Sequence, residues 1–263
     1  MKFLVQKIDG RLCFDFCREL VASNEYYKWR GIPFVIKYAA TVVPELMHPE
    51  KYVPVGSVEF VRGYAERYYP GVKEGMKPLN VPEPLLPFAG RQIYNIPTEC
   101  DREAENRLIS RFRTKNLYVK NNSVIKHPDN GYFDIDKEYN NENGRDLRGC
   151  QVSGIRYDVL SEWRVFVYEN KIQQVCYYDG DPLVFPVPER IKEMVEAYKD
   201  TAPIAYTLDV YNVHVAGSFD VQTHVMECHR FFSCGLYGFA DYRVFPYMLY
   251  REWQEILKLD QNE

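Results

Sequence analysis

The 263-residue chain has no run of about 18 apolar residues, the length a membrane-spanning helix needs. Its opening, M-K-F-L-V-Q-K-I-D-G, carries charge too early for an export signal, so the expected compartment is the cytoplasm. No C-x-x-C pair occurs among the seven cysteines (13, 17, 100, 150, 176, 228 and 234). An odd, scattered set reads as free thiols in a reducing compartment, not as a disulfide framework. Cys13 and Cys17 are spaced for one helix face, where small thiols are ordinary. No long basic run accompanies the net charge of −4, so the electrostatic footprint of a dedicated nucleic-acid binder is missing. G-x-S-x-G, H-E-x-x-H and the Walker-type G-x-x-x-x-G-K are absent too, as are internal repeats and low-complexity tracts.

What is present is an ordinary soluble composition rich in aromatics, with 22 Tyr and 15 Phe, which suits pleated strands and core. The first hundred residues read as a small α/β unit. M-K-F-L-V-Q-K is a plausible edge strand, residues 11–29 have the apolar spacing of a helix (Leu12, Phe16, Leu20, Val21), and I-P-F-V-I-K-Y is a second strand. A helix starts at Ser57, followed by Glu59 and Glu66. The proline-rich run from Lys77 to Pro87 reads as an ordered connector without regular structure. A soft boundary falls near residues 90–105.

Beyond it hairpins dominate. L-Y-V-K-N-N-S-V-I-K is a strand, an Asn-Asn turn and another apolar segment, and residues 127–146 read as a long mobile loop. E-W-R-V-F-V-Y-E-N-K-I-Q-Q-V-C-Y-Y alternates and turns at Glu169-Asn170. A helix runs from Pro188 to about Lys199, and an amphipathic helix covers 246–258.

Between these helices lies T-H-V-M-E-C-H-R-F-F-S-C, which invites a zinc reading. Strand alternation over 221–231 argues against it. Val225, Glu227 and His229 then point one way, and His224, Met226 and Cys228 the other, so a tetrahedral Cys/His quartet does not assemble. Folding strands 204–214 and 221–231 about a turn near 217–218 sets Asp209 beside Glu227. Two facing carboxylates repel unless something neutralises them. From the residues alone two readings stay open: a hard divalent cation between the pair, or a solvent-facing Asp209 with Glu227 paired to an arginine.

L-D-V at 208–210, a hairpin, then V-M-E-C-H resembles the metal-binding end of ATP-grasp ligases, where an aspartate and a Glu-x-Asn pair hold magnesium against ATP phosphates. His229 stands where that family usually has asparagine. S-E-W-R-V-F-V is similar to the family's R-x-F-V strand, which makes Arg164 the match. L-Y-V-K and S-V-I-K resemble the strands that carry ATP-contacting lysines, giving Lys120 and Lys126, and C-Q-V-S occupies the place of the adenine-facing strand, giving Gln151, Val152 and Ser153. V-P-V-G-S-V-E-F-V and F-S-C-G-L-Y-G look like a clade of small ATP-grasp proteins of phages and bacteria linked to peptide ligation. The glycine-rich phosphate flap is not recognisable, and H-P-D-N-G-Y (127–132) stands in its place.

The resemblance implies an α+β fold: an ATP-grasp domain of two α+β subdomains gripping ATP over 101–263, preceded by a small α/β domain over 1–100. It implies ATP and Mg2+ as cofactors and a carboxylate–amine ligase that forms an acyl-phosphate on a small-molecule or peptide substrate. Asp209, Glu227 and His229 would hold the metal. Lys120, Lys126, Gln151, Val152, Ser153 and Arg164 would bind the nucleotide, with Arg164 and Lys126 closest to the chemistry. The alternative is an ATP-binding module without ligation, with a regulatory or phage–host interaction role. A thiol nucleophile at Cys228 or Cys234 lacks any cationic cluster or helix start to activate it.

Overall fold

Three β-sheets carry the strands of a computed structural model that describes residues 1–40, 52–139 and 145–259. β1 (Lys2–Gln6), β2 (Val35–Ala39) and β3 (Val53–Val55) form a parallel sheet in the order β2-β1-β3. β1 is therefore central, not the edge strand expected. Phe3, Leu4 and Val5 are buried in succession, as a strand covered on both faces requires. Pro54 lies in β3 at the edge, where its missing N–H breaks no ladder bond.

Helix α1 (Asp15–Trp29) starts later than its apolar spacing suggests. Ile8 and Arg11 close a turn through Asp9 and Gly10, both left-handed, so Leu12 and Cys13 precede the helix. Cys13 is exposed and Cys17 buried; the two do not share a helix face. Helix α2 (Val58–Tyr68) begins where expected, because Ser57 Oγ accepts the Phe60 N–H at 3.1 Å. The proline-rich connector is more regular than its composition suggests. Residues Glu83–Phe88 form a 3-10 helix, which tolerates proline in its first turn.

A second sheet, ordered β4-β7-β5-β6, contains β4 (Ile93–Asn95), β5 (Asn116–Asn121), β6 (Gly131–Asp134) and β7 (Cys150–Gly154), with α3 (Arg102–Ile109) following β4. β5 pairs with 131–134, not with an S-V-I-K strand. Lys126 instead sits in a turn with φ of 55°. The expected loop at 127–146 thus contains β6 and a π-helical turn, Ile135–Tyr139; its positions 140–144 lie outside the described residues.

The third sheet, ordered β11-β10-β8-β9, is built from two hairpins: β8 (Ser161–Tyr168) with β9 (Lys171–Gly180), and β10 (Ala205–His214) with β11 (Val221–Arg230). Glu169 and Asn170 are both left-handed, giving the tight turn their position suggests. Helix α4 (Pro188–Tyr198) buries Ile191, Met194, Val195 and Tyr198 against Trp163, Val165, Leu208 and Val210. Helix α5 (Phe245–Leu259) packs Phe245, Met248, Leu249 and Ile256 with Phe3, Leu20 and Val61 of the first unit.

Candidate active site

Strand alternation places the charged groups. On β10, Tyr206, Leu208 and Val210 enter the apolar core under α4, so Thr207, Asp209 and Tyr211 face the other way. On β8, Trp163 and Val165 join the same core, which turns Glu162 and Arg164 toward Asp209. The register pairs Asp209 with Glu227 on β11 and with Arg164 on β8.

β11 departs from strict alternation at one place. Asp209 pairs with Glu227 but Val210 with Val225, so Met226 is an extra residue, a β-bulge. The bulge turns Val225 into the core beside Cys228, correcting the expectation that it shares a face with Glu227 and His229. Glu227 and His229 remain on the charged face. One ligand atom from each of Asp209, Glu227 and His229 lies within 4.8 Å of the others. The Cys228 side chain is buried in the core on the opposite face of β11 from Glu227 and His229.

Both carboxylates have a cation beside them. Arg164 Nε and Nη2 donate to the two Asp209 oxygens at 2.7 and 2.6 Å, and its Nη1 donates to Gly235 O at 2.9 Å. Asp209 is neither solvent-facing nor without a partner. Burial pushes its carboxyl up, but bonds from Arg164 and His229 outweigh that and hold it down at about 2. Burial works against the Arg164 charge as well, yet the paired carboxylate keeps its pKa above the ordinary value. Glu227 pairs not with an arginine but with Lys120 Nζ, and burial pulls that ammonium down to about 8. His229 Nε2 lies 3.4 Å from Asp209 and 3.3 Å from Glu227, and burial lowers its pKa, which favours the neutral, ligating imidazole.

The second sheet forms the facing wall. Leu117 and Val119 of β5 and Val152 of β7 enter its core, so Tyr118 and Lys120, cross-paired with Ser153 and Gln151, point into the cleft. Val152 is fully buried and does not line the cavity, contrary to its expected place in the nucleotide set. Gln151 lines it, but its amide is committed: Oε1 accepts Val81 N at 2.9 Å and Nε2 donates to Val81 O at 2.9 Å.

Two cavities meet here. One, of about 330 Å³, is lined by Tyr118, Lys120, Gln151, Ser153, Ile155, Tyr211 and Glu227, among others. The other, of about 270 Å³, is lined by Asn80, Lys126, Asn130 and His229, and shares Tyr118, Lys120 and Glu227 with the first. The Lys120–Glu227 pair thus marks the junction, and Lys126 lies in the second cavity only.

Arg91 is a site residue the sequence reading missed. It lines the larger cavity, stacks on Tyr211 at 5.5 Å, and donates to the bulge carbonyls Val225 O (2.8 Å) and Met226 O (2.6 Å). No carboxylate of the described residues pairs with it. Its only sequence signal is a cation at the end of the proline-rich connector. That connector also covers the open edge of β11, where Cys228 N donates to Asn80 O at 2.6 Å.

The donor set fits a divalent cation. Two carboxylate oxygens suit magnesium, and a neutral imidazole nitrogen is a ligand that manganese or zinc accepts more readily. Among the described residues, no helix is long and apolar enough to cross a membrane.

With this geometry in hand, the comparison with known proteins is direct. Residues 88–246 match the ATP-grasp domain, R2K clade family 2, and the chain belongs to that family. No curated protein sequence matches it. Among solved structures, the D-cycloserine synthetase DcsG is similar with a TM-score of 0.55 at 12% identity, covering 98% of this chain and 100% of that one. The ATP-grasp ligase PsnB, solved with a minimal precursor, is similar with a TM-score of 0.52 at 10% identity, covering 95% of this chain and 99% of that one. At such identities the likeness is one of fold, and it supports the ATP-grasp architecture.

Proposed function

We propose that the protein is an ATP- and magnesium-dependent ligase that joins a carboxylate to an amine, acting on an amino acid or a peptide. The observation that carries this reading is the convergence of Asp209, Glu227 and His229 between Arg164 and Lys120, with Glu227 at the junction of the two cavities and His229 lining the smaller one. The larger cavity, with Ile155, Tyr211 and Arg91, suits the nucleoside. The smaller one suits the acceptor carboxylate. Magnesium held by the two carboxylates would neutralise the terminal phosphates of ATP.

The protein's own groups do the rest. Lys120, Lys126 and Arg91 supply positive charge along the phosphate path. Arg164, its fork held by Asp209, would add fixed positive charge behind the metal-ligand group. In the first step an acceptor carboxylate oxygen bonds to the γ-phosphorus while the β–γ bridging P–O bond breaks, its electron pair leaving on ADP. In the second, the amine nitrogen attacks the acyl carbon, expels inorganic phosphate and loses a proton.

A second reading, nucleotide binding without ligation, draws on the segment after β5. Asn121 Oδ1 accepts from Ser123 N and Val124 N, both at 2.8 Å, and Ile125 is buried with the first unit's core. This pinned turn leads directly into residues 127–132, which stand in the place of a glycine-rich flap. Magnesium-dependent ADP release, assayed with a panel of amino acids and peptides, separates the two. Glu227→Gln should lower magnesium-dependent ATP affinity at least about tenfold while costing about 1 kcal/mol or less of stability, the scale of a part-exposed ion pair. Binding without ADP formation across the panel would sink the ligase reading. An unfolded Glu227→Gln protein would assign the glutamate to structure instead.

A further inference from the structure

We propose that Tyr237 is a positioning residue for Arg164, its ring clamping the guanidinium in place while Asp209 engages a cation. This rests on the ligase reading for its catalytic meaning, but not for its geometry. The guanidinium carbon of Arg164 lies 4.8 Å from the ring centre of Tyr237 and 5.4 Å from that of Tyr178. The two rings meet edge to face, with centroids 4.5 Å apart. Arg164 is thus held by three kinds of contact: the Asp209 fork, the Gly235 carbonyl and two aromatic rings.

The loop after β11 is shaped to deliver this ring. Tyr237 adopts φ of 45°, a left-handed conformation that an aromatic residue avoids and that persists only where its surroundings impose it. The ring lies across Gly235, where a Cβ would come within 2.8 Å of Tyr237 Cε2, so only glycine allows the approach. Gly238, at φ of 92°, completes the reversal, and its carbonyl accepts from Gln174 Nε2 of β9 at 3.4 Å. Core packing does not explain the strain, because Tyr237 remains 46% exposed. What it covers is the arginine.

The need for a clamp follows from the shared carboxylate. Asp209 is both the fork partner of Arg164 and one of the three clustered metal-ligand candidates. A cation that draws on Asp209 weakens the fork, and a long, rotamer-rich side chain then tends to swing away. Cation–π contact and the Gly235 carbonyl do not depend on Asp209, so they keep the guanidinium aimed when the fork loosens.

The test uses Tyr237→Ala, Tyr237→Gly and Tyr237→Phe, each also in an Arg164→Ala background. ADP release is measured with magnesium, ATP and the amino-acid and peptide panel, and hydrogen exchange at the Arg164 Nε–H is followed by 15N NMR on the protein alone. Removing the ring should lower kcat about tenfold with KM for ATP within about twofold, a change on the scale of a desolvated cation–π contact. Tyr237→Phe should keep most of the activity. The glycine variant relieves the backbone strain, so an equal loss in both truncations assigns the effect to the ring. In the Arg164→Ala background the truncations should cost nothing further. Arg164 Nε–H exchange should accelerate in both truncations. Wild-type kcat in Tyr237→Gly, an equal loss without Arg164, or unchanged Nε–H exchange would overturn the proposal. Absence of ADP release by the unmodified protein would count against the ligase reading, and the Nε–H exchange would still decide the clamp.

Discussion

Asp209 and Glu252 are both buried carboxyls near the same end of the β10–β11 hairpin, and the protein holds them in opposite states. Burial raises the pKa of each. Asp209 also receives the Arg164 fork and the His229 contact, and its carboxyl falls to about 2. Glu252 accepts the N–H groups of Phe231 (2.7 Å) and Phe232 (2.9 Å), with Arg230 and Glu255 close enough to be felt. No cation of the described residues stands within ion-pair distance of it, and burial pushes its carboxyl up to about 8. The neighbour, not the depth, decides the charge. One carboxyl is kept ionised beside Arg164 and His229, and the other is a hydrogen-bonding peg that ties α5 to the end of β11.

The largest effect expected from breaking this contrast is at Asp209. Asp209→Ala leaves the Arg164 guanidinium buried without a counter-ion, which costs about 3–5 kcal/mol. Urea unfolding measures it. Arg164→Ala should cost a comparable amount, and the double variant should recover part of the sum, since neither charge is then stranded. Additive losses would mean that the two residues stabilise the fold independently.

The next effect is a pH dependence carried by Glu252. Its folded pKa, about 8, lies above the unfolded value near 4.5, so the folded state binds the extra proton between them. The stability this contributes is fully present below pH 4.5 and is lost as pH rises through 8. Unfolding free energy from urea titrations should drop by a few kcal/mol between pH 5 and pH 8.5. Glu252→Gln removes the titrating group while keeping one of its two acceptor oxygens, and should flatten that slope. A slope unchanged in the glutamine variant would place the titration on another group.

How much of this was legible in the sequence depends on the kind of signal. The β10–β11 hairpin was readable because alternation and turn position together set a register, and they set Asp209 opposite Glu227. The bulge at Met226 was not readable, because nothing in V-M-E-C distinguishes an extra residue from a paired one; the error fell on Val225. Lys126 kept its place in the smaller cavity although its strand did not exist, since a left-handed turn delivers it there instead. Val152 failed for the opposite reason: a motif match covers both faces of a strand, and only one faces the cleft. Arg91 and Tyr237 lie outside the hairpins and gain their meaning from contacts with residues more than 70 positions away, which periodicity does not encode.

The smallest expected effect bears on the cysteines that first suggest zinc. Cys228 is buried beside Val225 and Leu208, its thiol pKa pushed up by burial, and its N–H is bonded to Asn80. Such a thiol behaves as a small apolar side chain. Cys228→Ala should cost about 1 kcal/mol of stability, the price of a small void on the dry face. Magnesium-dependent ATP affinity should stay within about twofold of the unmodified protein, because strand alternation turns the Cys228 side chain to the opposite face from Glu227 and His229. Elemental analysis should find the same metal content in both proteins, because the metal-ligand candidates Asp209, Glu227 and His229 are untouched. Zinc that is present in the unmodified protein and lost with Cys228 would reverse the assignment, making the dry face of the hairpin the metal-binding one.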